Sequence, residues 1–350
     1  MKGLFVVGSY GSGKTALCLG LALIFREQGL RVGYFKPIGV LAGVSGKEDE
    51  DVALMREVLG IIDCCERMVV LHASHNYLSR YQKADAHLRL IKECYDELAA
   101  DRDVVIMEGT TFPHVMASLG LDAGTIARQV GAVVLVVGRA EDDFSADRMI
   151  LFNEYVRSRD AEVAGSVFNN VPRPLLDKVR GVYKPLLEDL GHRVLGVVPR
   201  RVEIAAPTVR EFCAVLGGEL LAGHEHLDLL VEDVLVGAMT LESALPYLRR
   251  SANKAVITGG DRADLVLATL ETSTSLIVLT GGLYPDVKVV ARASQRGVPL
   301  LLVHYDTYTT IEKLHAVSRK IKPDQEEAIR LAKDVVSQYV DWRAILDALR

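Results

Sequence analysis

The sequence predicts an α/β protein: a parallel sheet with helices on both faces, followed by a smaller α/β module. Three observations predict it. Strand-like and helix-like patterns alternate from residue 4 to residue 198, as in successive βαβ units. The strand-like runs are almost continuously apolar, as strands covered on both faces must be. One of them, Leu4-Phe5-Val6-Val7, leads into Gly8-Ser9-Tyr10-Gly11-Ser12-Gly13-Lys14-Thr15, which fits G-x-x-x-x-G-K-[ST] and opens a helical run.

The glycine loop needs this strand-then-helix setting. Gly8, Gly11 and Gly13 open backbone conformations closed to residues with a Cβ, so that successive N–H groups, with Ser12 among them, can point inward. The helical run 16–25 adds the positive end of its dipole. Lys14 is then expected to reach the β- and γ-phosphates of a nucleotide triphosphate, and the Thr15 hydroxyl to bind Mg²⁺. Next come a strand over 31–37, a helix over 51–60, a strand over 67–71 and a long helix over 83–100. Asp103-Val104-Val105-Ile106-Met107-Glu108-Gly109 reads as a buried strand ending on a carboxylate, and 132–137 as another. An acidic turn, a helix over 144–159 and strands over 164–168 and 194–198 complete the first part.

Ligands bind at the carboxyl ends of such strands. Lys36, Glu108 and Asn169-Asn170 all follow strands, and the acidic run Glu48-Asp49-Glu50-Asp51 precedes a helix. Phosphoryl transfer needs a metal ion, cations and in-line placement more than covalent help from the protein. A carboxylate beside the loop is placed to hold the metal or a metal-bound water. Each residue has a structural alternative: Lys36 a solvated strand end, Asp51 a helix cap, Glu108 a turn residue, Asn169 a loop-former. Their convergence on one sheet edge favours function.

The five cysteines contain no C-x-x-C pair: Cys18 reads as core, and the adjacent Cys64-Cys65 as packing. His72 with His75, and His224-Glu225-His226, lack a third ligand at a recognisable spacing, so no structural metal is expected. A formal net charge of −5 with scattered basic residues predicts neither nucleic acid nor a membrane surface as partner. No signal-peptide pattern opens the chain and no run approaches the roughly 18 apolar residues of a membrane span, so a cytoplasmic protein is expected.

With those motifs in view, residues 1–208 resemble the dethiobiotin synthetase type of P-loop NTPase fold. The shared order is the glycine loop, Tyr34-Phe35-Lys36-Pro37, Asp51 opening a helix, Val105-Ile106-Met107-Glu108-Gly109, Val167-Phe168-Asn169-Asn170 and Leu195-Gly196-Val197-Val198-Pro199. The resemblance implies ATP and Mg²⁺ as cofactors. It has Lys14 and Thr15 on phosphate and metal, Asp51 and Glu108 holding the metal, Lys36 facing an acceptor or the γ-phosphate, and Asn169 reading adenine. This sequence departs from that family at Ser9 and Tyr10 in the loop. It departs again after Glu108, where Gly109-Thr110-Thr111-Phe112-Pro113-His114 stands in place of a small glycine-rich acceptor pocket. The bulky Phe-Pro-His stretch argues against a diamino acid acceptor. The second loop lysine of dimer-forming relatives is replaced by Ser9.

Pro207, Gly217-Gly218 and Gly223 mark a boundary near residue 210. Beyond it, 254–262 with its Thr-Gly-Gly turn is matched 22 residues later by 276–284, and a third strand, 299–303, runs into Asp306-Thr307. The module over 209–320 resembles the DRTGG domain, and 321–350 reads as a C-terminal amphipathic helix that packs on its own domain or on a second subunit. Asp261 and Asp306 read either as helix caps or, with exposed glycine N–H groups and Arg262 or Tyr284, as part of a small-ligand site.

The two parts together resemble the N-terminal region of long-form phosphotransacetylases, whose acyl-transferring domain has no room in 350 residues. The expectation is a Mg–ATP-binding regulatory or sensor protein with weak or conditional ATPase activity and an unidentified small-molecule effector. The alternatives are an ATP-dependent carboxylate- or carbamate-activating ligase with an unknown acceptor, and an interaction protein with a structural P-loop. A homo-oligomer is implied by the resemblance alone.

Overall fold

The computed structural model describes residues 1–40, 49–61, 68–73, 76–80, 84–314, 317 and 320–350. Glu48, Cys64, Cys65 and His75 lie outside the described residues; of the strand expected over 67–71, residue 67 is also outside them and the strand itself is Leu71–Ala73. The chain divides into two units, Met1–Arg201 with Ile321–Arg350, and Val202–Lys320.

The first unit is built on β1 (Leu4–Gly8), β2 (Val32–Phe35), β5 (Val104–Glu108), β6 (Val133–Arg139), β7 (Val163–Val171) and β8 (Val194–Pro199). They pair in parallel in the order β2-β5-β1-β6-β7-β8. Every residue of β1 and β5 is buried, which explains their unbroken apolar runs. The glycine loop follows β1 near the middle of the sheet, between the ends of β5 and β6. The chain leaves β1 for one side of the sheet and returns through β6 to the other, so this is the topological switch point. Two short strands, β3 (Ile38–Val40) and β4 (Leu71–Ala73), form a separate parallel pair.

Helix α1 (Lys14–Glu27) starts where Gly13 turns the backbone left-handed, φ 76°. Cys18, on its inner face, is fully buried. The expected single C-terminal helix is two, Glu326–Tyr339 and Trp342–Ala348, with Asp341 capping the second through the Ala344 N–H at 3.0 Å. Both belong to the first unit, and Glu326–Tyr339 lies along α1. Gly20 permits the approach. A Cβ there would stand 2.5 Å from Val336 Cγ2 and 2.8 Å from the Ala332 carbonyl oxygen. At one end Lys333 Nζ reaches Glu27 at 2.6 Å.

The second unit holds β9 (Glu219–Ala222), β10 (Asp233–Val236), β11 (Lys254–Gly259), β12 (Thr274–Thr280) and β13 (Leu300–Leu302). Their order is β10-β11-β12-β13-β9, with β9 alone antiparallel. The internal repeat corresponds to β11 and β12, which are neighbours. Among the described residues no helix is long and apolar enough to cross a membrane.

Candidate functional site

Five of the expected residues, Lys14, Thr15, Lys36, Asp51 and Glu108, converge at the carboxyl ends of β1, β2 and β5. Thr15 Oγ1 donates to Glu108 Oε1 at 2.8 Å, and the other carboxylate oxygen of Glu108 accepts from Tyr34 OH at 2.8 Å. Lys14 Nζ rests on the Ser9 carbonyl oxygen at 2.9 Å. Lys36 Nζ bonds Asp49 Oδ1 at 2.9 Å and also Asp51 Oδ2. Lys14, Lys36, Asp51 and Glu108 are all buried.

Asp51 is not the helix cap. The helix α2 (Glu50–Leu59) is capped by Asp49, whose Oδ1 accepts from the N–H groups of Asp51 at 3.0 Å and Val52 at 3.4 Å. One residue earlier is the position from which a carboxylate reaches the free N–H groups of the first turn. The Asp51 side chain is left to face Lys36.

Burial inside this cluster raises the Glu108 carboxyl, and the charge of Asp51 adds to the rise against Lys36, Lys14 and the Thr15 bond. Burial also lowers the Lys14 ammonium, with Glu108 opposing. Lys36 loses to burial but gains more from Asp51, Glu108 and Asp49, so its pKa is raised and it stays charged. Burial, then Glu108, lifts the Tyr34 phenol well above its usual value, leaving it a donor. A cation beside Glu108 and an anion beside Lys14 would each relieve a shift in the charged form's favour.

The loop is shaped for an anion. A Cβ on Gly8 would stand 1.8 Å from the Val137 carbonyl oxygen, and one on Gly13 2.5 Å from Asn169 Nδ2. Gly11 and Gly13 both have positive φ. Ser12 Oγ is buried without a hydrogen-bond partner among the described residues. Asn169 sits on the far side of the loop at the end of β7, where its Nδ2 donates to the Ser12 carbonyl oxygen at 2.8 Å. Its Nδ2 also reaches the Gly13 carbonyl oxygen at 3.5 Å, which turns both N–H donors to the loop and leaves Oδ1 as the atom able to accept from a base. Asn170, itself left-handed at φ 54°, reaches the Gly11 carbonyl oxygen at 3.4 Å.

Among the described residues no three His, Cys, Asp or Glu side chains gather as a metal site. The donors beside the loop, Thr15 Oγ1, Glu108 and Asp51, are all hard oxygens. They fit an ion such as Mg²⁺, which takes one or two carboxylates and completes its shell with water and phosphate.

Sequence reasoning missed Tyr34 as a Glu108 partner and Asp49 as a Lys36 partner and cap. A tyrosine in an apolar strand reads as core, and only the β2–β5 pairing shows where its hydroxyl ends.

The rings of Phe112 and His114 stack on each other at 5.6 Å between centroids and lean on Phe152 and Tyr155 of the helix Phe144–Arg157. Among the described residues a cavity of about 10 Å³ beside Glu108 is lined by Phe5, Pro37, Ile38, Val115 and Leu121, with Glu108 itself in its wall. That is room for about one water molecule.

In the second unit the turn glycines do not offer free N–H groups. Gly260 donates to the Thr280 carbonyl oxygen at 3.4 Å, Gly281 to that of Tyr305 at 2.7 Å and Gly282 to that of Val303 at 2.9 Å. Asp306 caps the helix Thr307–Leu314, accepting from the Thr309 N–H at 2.7 Å, and that bond holds its carboxyl low. Asp261 does not cap: the helix Ala263–Leu270 starts after Arg262 with no side-chain cap. Arg262 donates to the Met239 carbonyl oxygen at 3.0 Å, and Tyr284 OH bonds Glu219. Asp306→Ala is therefore expected to lower the melting temperature by a few degrees, with Asp261→Ala near neutral, as a thermal scan of the two variants would show.

Residues 2–208 match the AAA domain family and residues 211–317 the DRTGG domain family. The first match covers more than half of the chain, and the chain belongs to the AAA domain family. The phosphate acetyltransferase of Pseudomonas putida is 27% identical over 352 residues, which take in 95% of this chain and 49% of that protein. The phosphate acetyltransferase of a Synechocystis species is 27% identical over 356 residues, 97% of this chain and 50% of that protein. The chain thus spans about half the length of the curated relatives it matches. A plasmid partition protein from Borrelia burgdorferi aligns at 16% identity over 57% of this chain and 91% of its own, with a TM-score of 0.37, a distant likeness with no bearing on function.

Proposed function

We propose that this member of the AAA domain family is a cytoplasmic Mg–ATP-dependent regulatory protein with slow or conditional hydrolysis, in which the DRTGG domain passes the nucleotide state to a partner or effector. The observation that supports it is the convergence of a lysine, a hydroxyl and a carboxylate on one glycine loop. Lys14, Thr15 and Glu108 stand together beside an anion-shaped loop, while the space behind Glu108 admits about one water.

In this reading Lys14 leaves the Ser9 carbonyl for the β- and γ-phosphates, and the loop N–H groups donate to the remaining phosphate oxygens. Thr15 and Glu108, with Asp51, would hold the metal, which would supply neutralisation of phosphate charge. Asn169 fixes the loop through Nδ2 and accepts from the adenine amino group at Oδ1. Lys36, charged and buried beside Asp51, faces the same site. That lysine is also what favours the second reading, an ATP-dependent carboxylate- or carbamate-activating ligase. The Phe112-Pro113-His114 stretch after Glu108, unlike the small glycine-rich pocket of the synthetases, weighs against it.

The test is calorimetric titration with ATP, with and without Mg²⁺, alongside phosphate release. Expected are metal-dependent binding and turnover of ~10⁻³ s⁻¹ or slower, the intrinsic rate of P-loop proteins without a stimulating partner. Phosphate release accelerated manyfold by a small carboxylate or amine would replace this reading with the ligase. Absence of binding would leave a structural loop.

A further inference from the structure

We propose that Arg139 is a second cation for the phosphate end of the nucleotide, released from an ion pair with Glu141 when the anion arrives; the inference rests on the nucleotide-binding reading above. β6 ends at Arg139, and its pairing with β7 sets Arg139 opposite Asn169, the residue that holds the Ser12 carbonyl. This register brings the guanidinium to the glycine loop: a methyl group on Gly11 would lie 3.3 Å from Arg139 Nη1. Lys14 approaches the same loop from inside, so the two cations bracket the backbone that would wrap a polyphosphate.

The present partner of Arg139 is replaceable. Arg139 Nη2 lies 2.6 Å from Glu141 Oε1, and both side chains are close to half exposed, at 41% and 49%. Ion pairs in water-exposed settings contribute little and exchange readily. Glu141 does not depend on Arg139, because Arg148 stands 3.7 Å from its other oxygen and bonds Ser145 Oγ at 3.0 Å. A phosphate offers the guanidinium more charge and a matching fork of acceptors. Glu141 therefore acts as a competitor that the nucleotide displaces.

The experiment compares the wild-type protein with Arg139→Gln, Glu141→Gln and the double variant, titrated calorimetrically with Mg–ATP and with tripolyphosphate. Arg139→Gln is expected to weaken both ligands about 10-fold, the scale of one charge-assisted contact. Glu141→Gln is expected to tighten both, and the double variant to bind as weakly as Arg139→Gln. Melting temperatures are measured in parallel. Wild-type affinity in Arg139→Gln, whatever its melting temperature, would overturn the assignment and make the pair structural. If that happened while Lys14→Ala failed to bind, the nucleotide reading would stand without Arg139. If the wild type bound neither ligand, both would fall.

Discussion

Lys14→Ala should remove measurable ATP binding while leaving the protein folded, with a loss of at least about 100-fold in affinity. The lysine is buried, and its Nζ is bonded to a single carbonyl oxygen, that of Ser9, so little of the fold depends on it. Burial lowers its pKa below the ordinary lysine value of 10.5. The folded protein then holds that proton less tightly than the unfolded chain. Its contribution to stability rises with pH through the window between the lowered value and 10.5. The alanine variant should lose this slope and melt no lower than the wild type at neutral pH. Calorimetric titration with ATP and thermal scans at several pH values read both effects. Unchanged ATP affinity would mean that the loop does not bind phosphate.

Gly8→Ala should do the opposite and break the fold. Gly8 pairs with Val137 in the β1–β6 ladder, and its Cβ would stand 1.8 Å from the Val137 carbonyl oxygen and 2.8 Å from the carbonyl carbon. Those are backbone atoms of the adjacent buried strand, so no side chain can swing aside. Separating two central strands costs on the order of 3 kcal/mol or more. Expression in the insoluble fraction, or a melting temperature many degrees below wild type, is the expected result. A soluble variant with wild-type melting would show that β1 and β6 are not packed as described.

The phosphate loop was readable because everything it needs lies in one stretch of chain: a strand to deliver it, glycines at its turns and a helix to receive the anion. The paired strand ends were partly readable. Lys36 and Glu108 stand out as charges at the ends of apolar runs, and Asp51 as the last of an acidic run before a helix, but their partners do not. That Lys36 bonds Asp49 as well as Asp51, and that Tyr34 and Thr15 share the two oxygens of Glu108, depends on β2 and β1 both lying against β5. Nothing local showed that the rings of Phe112 and His114 would stack on each other and Phe112 lean on the helix Phe144–Arg157, or that Ile38, Val115 and Leu121 would line the cavity beside Glu108.

By itself the sequence determined the parallel α/β core, the glycine loop and the presence of a second α/β module, because periodicity and turn chemistry are local properties. The C-terminal segment shows the limit of that information. Its amphipathic pattern requires that one face be buried, but an apolar face carries no address. Only the tertiary structure returns it across the chain to α1, where Gly20, an interior helix glycine with no local reason to be there, lets Val336 and the Ala332 carbonyl approach. The same holds for Arg139. Its charge is plain in the sequence, and its place beside Gly11 is set by strand order and register, which arise from long-range pairing.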